Sequence, residues 1–69
     1  MRVACTNTDI AAQVVSVLYR HGIRRGVSWE GNSPLDARMW IIVRAALDST
    51  VAAAIRRDIE SIAGATVQE

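Results

Sequence analysis

The spacing of apolar residues predicts a strand and then a helix in the first third of the chain. Residues 1–5 are short and mostly apolar, as in a β-strand. Thr6 and Asp9 follow with the three-residue spacing of a helix capping box. From Ile10 the apolar residues recur every three or four positions, on one face of a helix of about three turns. Gly22 is where this helix should end.

The middle third alternates between apolar and polar positions, as strands do when one face is buried. Residues 23–30 and 38–46 both follow a period of two. Residues 31–34, Gly-Asn-Ser-Pro, are typical of a turn between them. We therefore predict a β-hairpin. A register with Glu30 opposite Arg38 would make one ion pair across the strands.

That register divides the hairpin side chains between two faces. Trp29 lies opposite Met39 and Val27 opposite Ile41, on the face that should carry the core. Trp29 is therefore expected inside the protein, with its ring N–H bonded to a partner. Four residues of the second hairpin strand belong to the other face: Arg38, Trp40, Ile42 and Arg44.

The last third predicts a second helix and a short final strand. Asp48, Ser49 and Thr50 are favourable residues at a helix start. Apolar residues then repeat at helical spacing until Gly64, which should end the helix. Residues 65–68 can form the last strand.

The resulting order of elements is βαββαβ, the ferredoxin-like plan. It predicts one α+β domain over residues 1–69, with a four-stranded antiparallel sheet and two helices on one face. Each helix has a single apolar stripe, so the other face of the sheet should stay uncovered. In a chain this short, the free energy gained by burying apolar surface barely offsets the conformational entropy lost on folding. We therefore expect a homodimer, in which further apolar surface is buried.

Two stretches resemble the ACT domain, a family of small ligand-binding regulatory modules. Residues 6–23 have the apolar spacing of the family's first helix and its Gly-Ile step into the second strand. Residues 59–67, Ile-Glu-Ser-Ile-Ala-Gly-Ala-Thr-Val, look like its second helix running through Gly into the fourth strand. The resemblance implies an ACT-like fold and a regulatory role.

The same resemblance suggests a small-molecule site, which we keep as an alternative function. Family members that sense amino acids carry an acidic residue and a Pro-Gly step before the first helix; here Thr6 and then Thr8-Asp9 stand there. A carboxylate at Asp9 would repel a ligand carboxylate. The corresponding site, at a subunit interface, would use Asn7, Thr8, Asp9 and Gly22.

Composition narrows the classes of function. The net charge is only +1, which gives no bulk electrostatic case for nucleic acid or membrane binding. A single Cys and no apolar run of membrane-spanning length predict a cytoplasmic protein. All eight basic residues are Arg, a bias typical of GC-rich genomes. The initial Met and the complete predicted fold suggest a free-standing protein, and we expect an accessory factor of a phage or bacterium that targets a host protein.

No catalytic or metal-binding constellation is evident. Cys5 is expected to be a small buried apolar residue. His21 should favour the C-terminal end of the first helix, far from Cys5. One Cys and one His do not form a metal-ligand set. We expect no enzyme activity, no metal and no cofactor.

The uncovered sheet face is the strongest candidate for function. Trp and Arg are enriched at protein interfaces, so a Trp among arginines predicts a partner or dimer surface. The simpler interpretation is that Trp40 is an isolated exposed residue that packs on the aliphatic stems of the arginines and binds no partner. Stacking of RNA or single-stranded DNA bases on Trp40 beside Arg2 is a further alternative. The predicted interface consists of Trp40, Ile42, Arg38, Arg44, Ser28 and Glu30.

Overall fold

Six elements follow one another in the predicted βαββαβ order. The computed structural model describes residues 1–31 and 38–68. The elements are β1 (Arg2–Cys5), α1 (Thr8–Arg20), β2 (Val27–Gly31), β3 (Met39–Val43), α2 (Ser49–Glu60) and β4 (Ala65–Gln68). Both hairpin strands are shorter than predicted, and residues 32–34 of the predicted turn lie outside the described residues.

The strands form one antiparallel sheet in the order β2-β3-β1-β4. Helix α1 packs on β3, β1 and β4, and α2 packs on β4 and on α1. This confirms the predicted α+β, ferredoxin-like arrangement. The face of the sheet on which the helices pack is called the helix-side face below, and the opposite one the open face.

The core lies between the helix-side face and the two apolar helix stripes. Its largest fully buried side chains come from both helices and from the two central strands. They are Leu18, Ile41, Ile55, Ile59, Val3, Val14 and Cys5. The predicted helical and strand periods therefore place Val14, Leu18, Ile41, Ile55 and Ile59 on the buried faces correctly.

Side-chain caps begin both helices, one of them where the sequence did not predict it. The Asn7 side-chain oxygen accepts a hydrogen bond from the Ile10 N–H at 2.9 Å, so Asn7 is the cap of α1. The capping box predicted from Thr6 and Asp9 is wrong. The Thr6 N–H instead donates to the Gly64 carbonyl at 3.0 Å, directly after β1 ends. For α2, Asp48 accepts from Val51 N–H at 2.8 Å, as its sequence position predicted.

The predicted hairpin register is wrong by two residues. Val27 lies opposite Val43, and Glu30 lies opposite Trp40 rather than Arg38. Because successive strand residues point to opposite faces, a two-residue shift leaves every side chain on its predicted face. The alternation in the sequence therefore cannot distinguish the two registers.

Trp29 is not the core residue that the sequence predicted. It lies opposite Ile41 rather than Met39, on the helix-side face, and is 45% exposed. The reason is the position of its strand. Neither helix contacts β2, so a residue with inward parity on this edge strand has no helix above it.

Candidate protein-binding face

Strand alternation places the predicted interface residues together on the open face. Trp40 on the central strand β3 lies between Ala4 of β1 and Glu30 of β2. Ile42, two residues along β3, lies between Arg2 and Ser28. The open face therefore has an apolar centre, with polar and charged groups on the neighbouring strands.

Trp40 is covered in part by an arginine. The guanidinium carbon of Arg2 lies 4.7 Å from the centre of the Trp40 ring. A cation over an indole face is attracted by the ring's electron density, a contact worth about 0.5–1 kcal/mol at exposed sites. Trp40 is partly buried as a result of such contacts within the chain. The small side chain of Ala4 beside it leaves room for the ring.

Arg44 is the second arginine of the open face with defined partners. Its guanidinium donates to the Ser28 hydroxyl. It also lies 3.7 Å from the Glu30 carboxylate, with both side chains more than half exposed. Solvent-exposed ion pairs contribute little to stability, so this cluster mainly orients its side chains.

Five of the six predicted interface residues thus lie on or beside strands of one face. The sixth, Arg38, is exposed just before β3 begins and makes an interaction of its own within the chain. Ala4 was missed, because the pairing of β1 with β3 joins residues far apart in sequence. Its small side chain at an outward position of the first strand was the one feature of the sequence that indicated a place on this face.

The residues of the predicted small-molecule site do not come together within one chain. Asn7, Thr8 and Asp9 lie at the start of α1, and Gly22 lies just past its end. A helix of 13 residues separates them by about 20 Å. The Asn7 side-chain oxygen is also engaged in capping the helix.

Cys5 and His21 have structural environments and do not form a pair. Cys5 is fully buried in the core, and burial raises the pKa of its thiol. His21 Nε2 lies 2.8 Å from an oxygen of Asp58, which links the end of α1 to α2. A buried thiol with a raised pKa carries little of the thiolate that a nucleophile requires.

A shallow cavity of about 360 Å³ lies where β1 begins and α2 starts. It is lined by Met1, Ala45, Leu47 and Ala52. None of these side chains can be ionised or donate a hydrogen bond. The cavity therefore adds space but no acid, base or nucleophile to the candidate site.

Comparisons with known proteins indicate no function for this chain. No family model, curated protein or solved structure matches the sequence. Within residues 1–31 and 38–68, no three side chains of His, Cys, Asp or Glu are grouped as a metal site requires. Neither helix in this part of the chain has the length and apolar character of a membrane span.

Proposed function

We propose that this chain is a small, non-enzymatic interaction module of the ACT-like type whose open face binds a protein partner. One observation carries the proposal. Trp40 and Ile42 lie side by side, two residues apart on a central strand, on a sheet face that neither helix covers. Large apolar side chains at the centre of an uncovered sheet face are typical of a binding surface.

The composition of the face matches that of protein interfaces. Binding energy in such interfaces is concentrated in a few central Trp, Tyr and Arg residues, surrounded by polar groups that exclude water. Here Trp40 and Ile42 form the centre, and Arg2, Arg44 and Glu30 lie around them. The partner chemistry that fits is an apolar side chain seated on the indole, with a carboxylate beside an arginine.

The charges on the open face favour a protein over a nucleic acid. Arg2 is stacked on Trp40, and Arg44 is engaged with Ser28 and Glu30. The Glu30 carboxylate would repel a phosphate backbone. Sheets that bind RNA usually stack bases on two or three aromatic residues, and among the described residues of this face Trp40 is the single aromatic.

A binding comparison between matched variants tests the proposal. The chain is immobilised and exposed to bacterial extract as wild type, Trp40→Ala, Arg44→Glu and Gln13→Ala. Gln13 is exposed on α1, away from the open face, and serves as the control. Circular dichroism of each variant establishes that it is folded.

We expect wild type and Gln13→Ala to capture the same protein from the extract. Trp40→Ala and Arg44→Glu should each capture about tenfold less of it, or still less. Retention that does not change in either open-face variant would contradict the proposal. So would retention of single-stranded nucleic acid whose affinity falls steeply with salt, because that dependence marks phosphate contacts.

A further inference from the structure

Positive charge is concentrated in the turn between α1 and β2. Residues 20–25 contain Arg20, Arg24 and Arg25 and no acidic residue. The net charge of the whole chain is +1, so the residues outside this segment carry a net charge of −2. A segment whose charge is opposite in sign to that of the rest of the chain favours an anionic ligand. We call residues 20–25 the basic turn.

The three arginines of the basic turn pair with no carboxylate of the described residues. All three are exposed. Ion pairs between described side chains form elsewhere: His21–Asp58, Arg44–Glu30 and Arg56–Glu60. The guanidinium groups of the three arginines are therefore accessible to an anion from outside the chain.

The end of α1 does not need these guanidinium groups. Basic side chains near a helix C-terminus often bond to its last carbonyl groups. Here the Ile23 N–H bonds to the Leu18 carbonyl at 2.9 Å, and a neighbouring backbone N–H bonds to the next carbonyl. The helix dipole accounts for Arg20 in the last turn, but not for Arg24 and Arg25, which lie beyond the helix.

The position of Arg24 is defined by contacts within the chain. Its guanidinium carbon lies 5.9 Å from the centre of the Tyr19 ring, and this ring is 50% exposed. The contact holds Arg24 beside the last turn of α1, which carries Arg20. A site whose groups are already placed loses less conformational entropy when a ligand binds.

The basic turn is continuous with the open face. The Gly26 carbonyl, directly after Arg25, accepts a hydrogen bond from the Arg44 N–H at 2.7 Å. The Arg44 side chain belongs to the open face, where it donates to the Ser28 hydroxyl. One partner can therefore contact the open face and the basic turn together.

We infer that the basic turn binds an acidic segment of a protein, in which Asp or Glu residues follow one another closely. A guanidinium group binds a carboxylate through two parallel N–H···O bonds, which gives the pair both strength and direction. That this segment belongs to the partner of the open face rests on the proposed function above. The partner then seats an apolar side chain on Trp40 and places its acidic segment on the basic turn.

The surroundings of the turn favour carboxylates over nucleic acid or membrane. Sites for single-stranded nucleic acid stack successive bases on a series of aromatic residues. Residues 19–26 contain one aromatic residue, Tyr19, and Arg24 already lies against its ring. Membrane binding would need apolar side chains that insert beside the arginines, and Ile23 packs against the core instead.

Titration with a synthetic octaglutamate peptide tests the inference without any natural partner. Backbone amide chemical shifts are followed by NMR in wild type, Arg25→Gln, Arg24→Gln/Arg25→Gln and Arg56→Gln. Arg56→Gln is the matched control for charge. It lies two residues before Asp58, which contacts His21, and so points about 200° away from that contact around α2. Octaglutamine is the control peptide, and circular dichroism establishes that each variant is folded.

We expect octaglutamate to shift the amides of residues 20–26. Arg25→Gln should raise its dissociation constant about two- to fivefold and the double variant about tenfold, the range of exposed ion pairs. Arg56→Gln and Trp40→Ala should leave it unchanged. Raising the salt from about 20 mM to about 500 mM should weaken binding, because salt screens exposed charges.

Three results would overturn the inference. One is the absence of shifts in the basic turn at low salt. Another is an equal loss of affinity in Arg25→Gln and Arg56→Gln, because any cation would then serve. The third is tighter binding of an oligothymidylate of the same charge at the same residues, which would assign the turn to phosphates.

Capture from bacterial extract separates this inference from the proposed function. At low salt Arg24→Gln/Arg25→Gln should capture about tenfold less of the partner, and the difference from wild type should narrow at high salt. Trp40→Ala should lose the partner at both salt concentrations. Full capture by the double variant at low salt would refute the role of the basic turn and leave the open face as the binding surface. Octaglutamate binding with no protein captured would contradict the proposed function alone.

Discussion

The guanidinium carbon of Arg2 lies 4.7 Å from the centre of the Trp40 ring, across two neighbouring strands of the open face. Arg2 lies opposite Ile42, so its side chain reaches diagonally to the indole. Sheet diagonals of this kind are within range of long and aromatic side chains. The contact gives the largest side chain of the open face a defined position within the single chain.

Removing the charge of Arg2 should destabilise the fold slightly and expose Trp40. Arg2→Met keeps most of the aliphatic stem, so it isolates the cation from the packing. We expect the free energy of unfolding to fall by about 0.5–1 kcal/mol. In a Trp29→Phe background, acrylamide quenching of Trp40 should increase. If Arg2→Met changed neither the stability nor the quenching, the stem alone would make the contact.

Asn7→Ala should cost about 1 kcal/mol of stability, because it removes the side-chain acceptor at the start of α1. Thr6→Ala is the matched control. Thr6 contributes its backbone N–H to the Gly64 carbonyl, and that bond survives the substitution. The free energies of unfolding of both variants, measured in urea, show which side chain caps α1. A larger loss for Thr6→Ala than for Asn7→Ala would restore the capping box.

Gly64→Ala should be more destabilising than Gly22→Ala. Both glycines have positive φ, 93° and 82°, so each substitution carries a backbone cost of about 1 kcal/mol or more. A Cβ at Gly64 would lie 2.7 Å from Thr6 Oγ1, whereas one at Gly22 would meet no atom within 4 Å. The midpoint temperature of thermal unfolding should therefore be lower for Gly64→Ala than for Gly22→Ala. Adding Thr6→Ala should recover part of the difference, and no recovery would argue against the steric account.

Cys5 should make stability fall at alkaline pH. Burial raises the pKa of its thiol above the ordinary value of 9.0. Above pH 9.0 the unfolded chain has lost this proton while the folded chain keeps it, so unfolding becomes easier as pH rises. The free energy of unfolding, measured from about pH 7 to about pH 10, should decline more steeply for wild type than for Cys5→Ala. Parallel pH profiles would contradict this assignment.

Much of the fold follows from local patterns, and the misassigned residues share one physical cause. The periods of Ile10–Leu18 and of residues 38–46 identify a helix face and a strand face without reference to any other element. The register of the hairpin is different, because two registers offset by two residues bury the same side chains. Local alternation cannot distinguish these two registers. The backbone hydrogen bond from the Arg44 N–H to the Gly26 carbonyl shows which one forms.

The same reasoning explains the candidate site. The parity of Trp40 and Ile42 could be predicted, since the opposite side of their strand is apolar throughout. Their neighbours Arg2 and Ala4 come from a strand more than 30 residues away, and no local rule pairs them. Beside the cap at Asn7, the Thr6 N–H likewise bonds to the Gly64 carbonyl, a partner that no local pattern predicts.

The sequence by itself determined the order of the elements, the apolar face of each, and the parity of Trp29 and Trp40, because these depend on residue spacing along the chain. Only the tertiary structure decided how much of each tryptophan meets water. Trp40 has outward parity but lies on a central strand under Arg2, whereas Trp29 has inward parity but lies on an edge strand that no helix contacts. Burial depends on what lies above a side chain, and that is determined by strand order and helix position rather than by periodicity.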